Sequence, residues 1–383
     1  MMEPGELASV IIGNESHALM AGAPGAGKTR LIMGMITGNP GLRVMVFDYL
    51  GNYAGYTDYY GPFPINPLEW VRVEDMIDVV TQAVEATYSG VDNPWTPAQQ
   101  VIVENCFSER PPEGLVALRQ SWYPAHSIPE LIKCVSEYGY RSLDDENARK
   151  AVARRLRIFN NLLWATRTHG LLKAWLLGRL NGSIGIDLSG VSLPAAIAYV
   201  YAMLAIVARG RAVKPSIIVV DEAHYFMRVE NSLFEEAVRV ARNLGINIIA
   251  ITQGFSDVAS RPSLLELFKT FIIFPTITVP NSSNLLINVK PTAFNEPHVA
   301  QVTVLATNAR FFKEHLTNAR SGPVYTTMLR VNVNVKRREN ALIVKGVDAG
   351  LPSYEGGRVR DYITRGITPL IQAEAGLNLT NPS

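Results

Sequence analysis

The chain has 383 residues, 36 Lys and Arg against 34 Asp and Glu, a net charge of +2, and 48% hydrophobic residues. That is enough for one large α/β domain with an insertion, or for two ordinary domains, and it excludes a disordered chain. Near-neutral charge neither demands nor excludes nucleic acid, since clustering of Lys and Arg decides that. Two cysteines, Cys106 and Cys134, are too few for a zinc site or a disulfide framework, so both are expected to be buried thiols in a reducing interior. No cleavable leader is visible, and a cytoplasmic location is expected.

In chain order, the apolar run Ala18 to Ala21 is followed by Gly22-Ala23-Pro24-Gly25-Ala26-Gly27-Lys28-Thr29 and then by a helix-like run, Leu31 to Ile36. This is a complete phosphate-binding loop in strand-loop-helix context. Its glycines let backbone N–H groups close around a polyphosphate, Lys28 reaches the β- and γ-phosphates, and the Thr29 hydroxyl takes a magnesium position. Gly22 through Arg30 is therefore the expected nucleotide-binding stretch, with ATP and Mg2+ as cofactors. Arg43 to Asp48 reads as a second buried parallel strand. Its tip, Asp48-Tyr49-Leu50-Gly51-Asn52-Tyr53, falls at the edge where such sheets bind ligands, either with Asp48 and Asn52 near the nucleotide or as a plain polar turn. Ile65-Asn66-Pro67-Leu68 is a tight extended stretch before a helix from about Glu74 to Tyr88.

From there to about Leu180 the periodicity is helical: Pro97 to Phe107, Ile128 to Glu137, Asn147 to Asn161 and Leu171 to Leu180, with breaks such as Arg110 to Gly114. Arg149, Lys150, Arg154, Arg155 and Arg157 load one of these helices, as phosphate contacts or as a solvated face. Ile184 to Leu188 resumes the strands. Leu193 to Ala208 is uncharged but shorter than the roughly 20 residues a membrane span needs, so a buried helix is expected.

Ser216 to Asp221 is a central strand ending in the paired acids Asp221 and Glu222. In a phosphate-loop protein Asp221 holds magnesium and Glu222 polarises the attacking water. Ser232 and Glu235 open a helix that carries Arg239 and Arg242 on its polar face and ends at Gly245. These arginines are arginine-finger candidates for an adjacent subunit, or surface ion-pair partners. Ile246 to Thr252 is the next buried strand, and Gln253 at its tip is expected to sense the γ-phosphate or orient water. Thr270 to Phe274 is a last core strand. Further on, Thr326 to Lys336 and Ala341 to Val347 predict a β-hairpin with Arg337-Arg338-Glu339-Asn340 as its turn, reaching into a DNA channel or simply solvated. The tail, Gln372 to Ser383, is expected to fray.

The Asp48 to Tyr53 motif, Asn66-Pro67-Leu68, the Asp221-Glu222-Ala223-His224 box, Ala241-Arg242-Asn243-Leu244-Gly245 and Thr252-Gln253, in that order, resemble the HerA and FtsK superfamily of ring ATPases. The resemblance covers roughly Ala18 to Phe274 and is nearest to the HerA and conjugative-secretion branch. It departs from the family's usual pattern at Ala241 and Asn243. The resemblance implies an α/β, RecA-like P-loop NTPase with a mostly parallel sheet. The expected core is 1–70 and 181–275, with an all-α insertion at 71–180 and a C-terminal β-containing appendage at 276–383. It also implies a hexameric ring that translocates DNA with partner proteins of a conjugation, repair or packaging machine. Lys28, Glu222 and Gln253 would be catalytic, Thr29 and Asp221 would hold magnesium, and Arg239 or Arg242 would act in trans. A secretion or remodelling ATPase directed at protein is the alternative.

Overall fold

The computed structural model describes residues 3–13, 17–88, 95–108, 124–139, 142–227, 232–254, 264, 266–274, 299–306, 325–332, 335–348 and 351–355. The first half holds α1 (Pro4–Gly13), β1 (His17–Ala21), α2 (Lys28–Thr37), β2 (Val44–Asp48), β3 (Tyr59–Gly61), α3 (Val73–Thr87), α4 (Pro97–Phe107), α5 (Ile128–Glu137), α6 (Leu143–Arg155) and α7 (Gly170–Leu176). The second holds β4 (Ile184–Asp187), α8 (Leu193–Arg209), β5 (Ile217–Val220), α9 (Leu233–Ala241), β6 (Asn247–Thr252), β7 (Phe268–Ile273), β8 (Val299–Ala306), β9 (Tyr325–Asn332), β10 (Leu342–Asp348) and β11 (Leu351–Glu355). The strands form one sheet in the order β11-β10-β3-β4-β2-β5-β6-β1-β7-β8-β9. From β10 to β7 all neighbours are parallel, so their carboxyl ends share one edge. Strands β8, β9 and β11 are joined antiparallel.

The central strands read as near-continuous aliphatic runs because both faces of the sheet are covered. On one face Leu7, Ile11, Leu31, Ile32 and Ile36 of α1 and α2 pack on Met20, Val46, Val219 and Ile249. On the other lie α3, α8, α9 and the helices 97–176. Helix α8 is the centre of that layer and is buried from Ala195 to Val207. Its two tyrosines anchor loops: the Tyr199 hydroxyl donates to Phe63 O at 2.5 Å and that of Tyr201 to Phe226 O at 3.1 Å. Among the described residues no helix is long and apolar enough to cross a membrane. Arg209, at the last turn of α8, pairs with Asp75 (2.9 Å), Asp78 (3.1 Å) and Glu236, and so ties α3, α8 and α9 together.

Helices α4 and α5 have the limits the sequence predicts because Thr96 and Ser127 cap them and a proline follows each cap. The structure also adds one element that the sequence reading does not contain and corrects two expectations. The stretch before β1 contains α1, which crosses α2 so closely that a Cβ on Gly34 would stand 2.6 Å from Pro4 Cβ. Cys106 and Cys134 are buried as expected but are bonded to each other, joining α4 to α5. Packing of these two helices places the cysteine Cα atoms 5.8 Å apart, within disulfide reach.

The predicted hairpin of Thr326 to Lys336 with Ala341 to Val347 does not form. Strand β9 pairs with β8 and β10 with β3, at opposite margins of the sheet. Alternation of side chains identifies a strand but not its partner. The connecting residues are no free tip either. Arg338 pairs with Asp58 and donates to Ile36 O at 2.7 Å, and the Arg337 guanidinium lies 5.9 Å from the Tyr56 ring centre. The turn is thereby fixed to the first βαβ unit. In the basic helix Arg149 donates to Ser136 O at 2.8 Å, Lys150 pairs with Glu146 and Arg155 with Gln99, whereas Arg154 and Arg157 are exposed. The break at Arg110 to Gly114 and the tail at 372–383 lie outside the described residues.

Candidate active site

The carboxyl edge of the parallel sheet brings together most of the residues the sequence singles out. In the register, Ala21 of β1 lies opposite Thr252 of β6, and Val220 of β5 lies opposite Ala250 of β6 and Phe47 of β2. Read along the edge, the order is Asp48, the acid pair Asp221 and Glu222, Gln253, and then the phosphate loop.

The loop leaves β1 through Gly22, where a Cβ would meet Phe274 Cβ at 2.9 Å, and turns into α2 through Gly27 at φ 99°. The left-handed conformation at Gly27 strongly favours glycine. Pro24 and Gly25 are exposed, and Arg30 points into solvent. Lys28 is buried, and its ammonium donates to Gly22 O and to Ala23 O at 3.1 Å, so it folds back over the loop. Burial lowers its pKa from the ordinary value, while the nearby Glu222 and Asp221 carboxylates oppose that shift.

Asp221 is 2% exposed. Its Oδ1 accepts from Glu222 N at 3.0 Å, and its Oδ2 is buried without a hydrogen bond. Desolvation first, then Asp48 and Glu222, raise its pKa to about 7. A buried carboxylate oxygen without a donor suits a cation. Among the described residues no group of three His, Cys, Asp or Glu could hold a metal by itself. A magnesium ion held by Asp221 and the Thr29 hydroxyl together with substrate phosphates fits that donor set, because this ion keeps few protein ligands.

Glu222 has φ 51°, the only positive φ outside glycine among the described residues. Holding a non-glycine residue there costs about 1–3 kcal/mol and is characteristic of functional sites. The bend turns the carboxylate toward Gln253, whose Nε2 donates to Oε2 at 3.0 Å and Oε1 at 3.2 Å. His224 Nδ1 stands 3.4 Å from Oε2, at ion-pair distance but without a hydrogen bond.

Asp48 lies at this edge but is engaged with its own loop, and the two arginines lie elsewhere. Asp48 is wholly buried and accepts from the N–H groups of Leu50 (3.2 Å), Gly51 (2.8 Å) and Tyr53 (2.8 Å) and from the Tyr60 hydroxyl (2.8 Å). It braces its own loop, and burial raises its pKa despite those donors. Asn52 is exposed. Arg239 and Arg242 lie at the carboxyl end of α9, which runs back to the opposite edge of the sheet. Arg242 acts electrostatically on His17 at the start of β1, and Arg239 stands 3.9 Å from Glu235. The length of β1 separates them from their own loop. Sequence reasoning assigned no role to Tyr53 or His224, although both stand inside motifs it singled out.

This fold and edge define an α/β protein with a mostly parallel sheet and a phosphate-binding loop at its carboxyl edge, the architecture of RecA-like P-loop proteins. No protein-family model matches the sequence, and no curated protein matches it. Among solved structures, the bacterial conjugative coupling protein TrwB in complex with sulphate aligns over 71% of this chain and 76% of its own, at 14% identity and a TM-score of 0.48. VirB4 of Thermoanaerobacter pseudethanolicus aligns over 75% and 86%, at 14% identity and 0.48. B204, the DNA-packaging ATPase from Sulfolobus Turreted Icosahedral Virus, aligns over 70% and 78%, at 12% identity and 0.28. These likenesses are distant, and the strand order and loop geometry define the class by themselves.

Proposed function

We propose that this chain is a magnesium-dependent ATPase that works as a homo-oligomeric ring and moves DNA. The observation that carries hydrolysis is the Glu222 carboxylate, bent out of ordinary backbone geometry and held by Gln253 beside the Lys28 loop. Lys28 releases the loop carbonyls to bind the β- and γ-phosphates, and Thr29 and Asp221 hold magnesium. Bound magnesium neutralises phosphate charge as it develops. Glu222 takes a proton from the attacking water, and Gln253 orients that water and reports the γ-phosphate to β6. The ordered motifs, resembling ring DNA translocases, support DNA as the load.

A ring is supported by the position of Arg239 and Arg242, which face away from their own site and suit a neighbour's in a head-to-tail contact. Mixing Glu222→Gln chains with chains carrying both Arg239→Ala and Arg242→Ala tests this. Each variant alone should be nearly inactive. In a random mixed ring about a quarter of the interfaces pair an intact acid with intact arginines, so the mixture should recover activity. A mixture no more active than its parents, or a double arginine variant as active as wild type, contradicts the trans arginine.

A further inference from the structure

The Tyr53 side chain is fully buried, yet its hydroxyl makes no hydrogen bond. Its ring packs among the residues under α2, where phenylalanine would pack equally well without burying a polar atom. The hydroxyl is nevertheless held in place. Tyr53 N donates to Asp48 Oδ2 at 2.8 Å, and the Tyr60 hydroxyl donates to the same oxygen at 2.8 Å, so the loop end is pinned to β2 from two directions.

The groups facing the hydroxyl are Asp221, Asp48 and Thr29, and Asp221 and Thr29 stand near enough to act on it as hydrogen-bond partners although neither contact has hydrogen-bond geometry. Asp48 is already saturated by its own loop and by Tyr60. Among the described residues, Asp221 Oδ2 and His224 Nδ1 are the other buried polar atoms at this edge without a hydrogen bond, and His224 Nδ1 stands against Glu222 rather than Tyr53. The Tyr53 hydroxyl and Asp221 Oδ2, one able to donate and one able to accept, beside the hydroxyl that opens α2, are the parts of a hydrogen-bond relay not yet closed.

We propose that Tyr53 is a positioning residue for the metal side of the site. When magnesium and nucleotide are bound, its hydroxyl accepts a hydrogen bond from Thr29 and donates one to Asp221, fixing the two magnesium-binding side chains against each other. This inference rests on the nucleotide-site reading above. The Asp48 to Tyr53 loop thereby gains a role, in which Asp48 gathers the loop and the loop delivers the hydroxyl to the metal ligands on β5 and α2.

Tyr53→Phe keeps the ring and removes only the hydroxyl. Binding of a non-hydrolysable ATP analogue is measured by calorimetry in chelator and across a magnesium series, with the melting temperature of the ligand-free protein as a control for folding. The expected result is affinity in chelator within about twofold of wild type and an unchanged or raised melting temperature. The magnesium concentration giving half of the affinity gain should be about tenfold higher, as for loss of one charge-assisted hydrogen bond. In an Asp221→Asn background the same substitution should have little effect on that concentration, because the accepting carboxylate is gone. An unchanged magnesium dependence overturns the inference, as does loss of the fold in Tyr53→Phe. Wild-type protein that binds no analogue at any magnesium concentration overturns the nucleotide-site reading itself, a result distinct from failure of Tyr53→Phe alone.

Discussion

Glu222→Gln is expected to bind ATP as wild type does and to lose hydrolysis by about 10²- to 10⁴-fold, the usual contribution of a positioned general base. The substitution keeps size and shape in a buried position, so the bent backbone at φ 51° and the packing around it are retained. It removes the lone pair that accepts the water's proton. A side-chain amide still meets the Gln253 amide through its oxygen, so Gln253 keeps one of its two contacts at 3.0 and 3.2 Å. Binding separates this loss from collapse of the loop: Lys28, Thr29 and the backbone N–H groups that grip phosphate are untouched. Single-turnover hydrolysis alongside analogue affinity checks it. Hydrolysis within a few-fold of wild type would remove Glu222 from the reaction and leave His224 as the nearest alternative base.

Asp221→Asn is expected to stabilise the ligand-free protein at pH 8 and to stabilise it distinctly less at pH 5. Folding raises the Asp221 pKa from 3.8 to about 7, chiefly through burial. The folded state therefore binds a proton that the unfolded state has released between those values, and stability from this group falls as pH rises through that window. At pH 5 the folded carboxyl is protonated and resembles an amide, so only the part of the gain between 3.8 and pH 5 is present, on the order of 1.5 kcal/mol. At pH 8 it is ionised beside Asp48 and Glu222, and the amide removes that cost. At about 1.4 kcal/mol per unit the upper limit of the gain is on the order of 4 kcal/mol. His17 and His169, both lowered to about 4 by burial, impose the opposite slope below neutrality, but they are present in both proteins and cancel in the difference. Denaturant unfolding of both proteins at the two pH values gives the answer. Equal effects at both pH values would mean that Asp221 is not a buried, unpaired acid. The same substitution should weaken magnesium-dependent nucleotide binding, the signature of a residue whose instability serves a ligand.

Much of the site was legible because its chemistry is local. The loop from Gly22 to Thr29 needs its glycines at fixed spacing, and the acid pair must follow a strand buried on both faces, so both declare themselves within a dozen residues. Helices α4 and α5 announce their limits through Thr96-Pro97 and through Ser127-Ile128-Pro129. What was not legible depends on distant partners. Strands β9 and β10 show alternation, but nothing nearby says that one joins β8 and the other β3 across the whole sheet. The Arg337 to Asn340 turn looks solvated until Asp58, far back in the chain, is found beside Arg338. Cys106 and Cys134 meet only because two helices pack. Tyr53 belongs to a motif visible in the sequence, yet only the structure shows its hydroxyl buried and facing Asp221 and Thr29. Arg239 lies on α9 and Arg242 in the turn that follows it, and the strand order is needed to see that α9 carries them away from their own loop.

The most direct measurement is ATP hydrolysis by the purified 42.1 kDa chain, with and without linear double-stranded DNA, with the particle mass determined by light scattering in the same samples. Magnesium-dependent hydrolysis that DNA stimulates, on a particle several times the protomer mass, is the predicted result. Hydrolysis that ignores DNA would contradict the DNA motor and favour a protein-directed machine, and a chain that neither hydrolyses ATP nor assembles would contradict the account at its root.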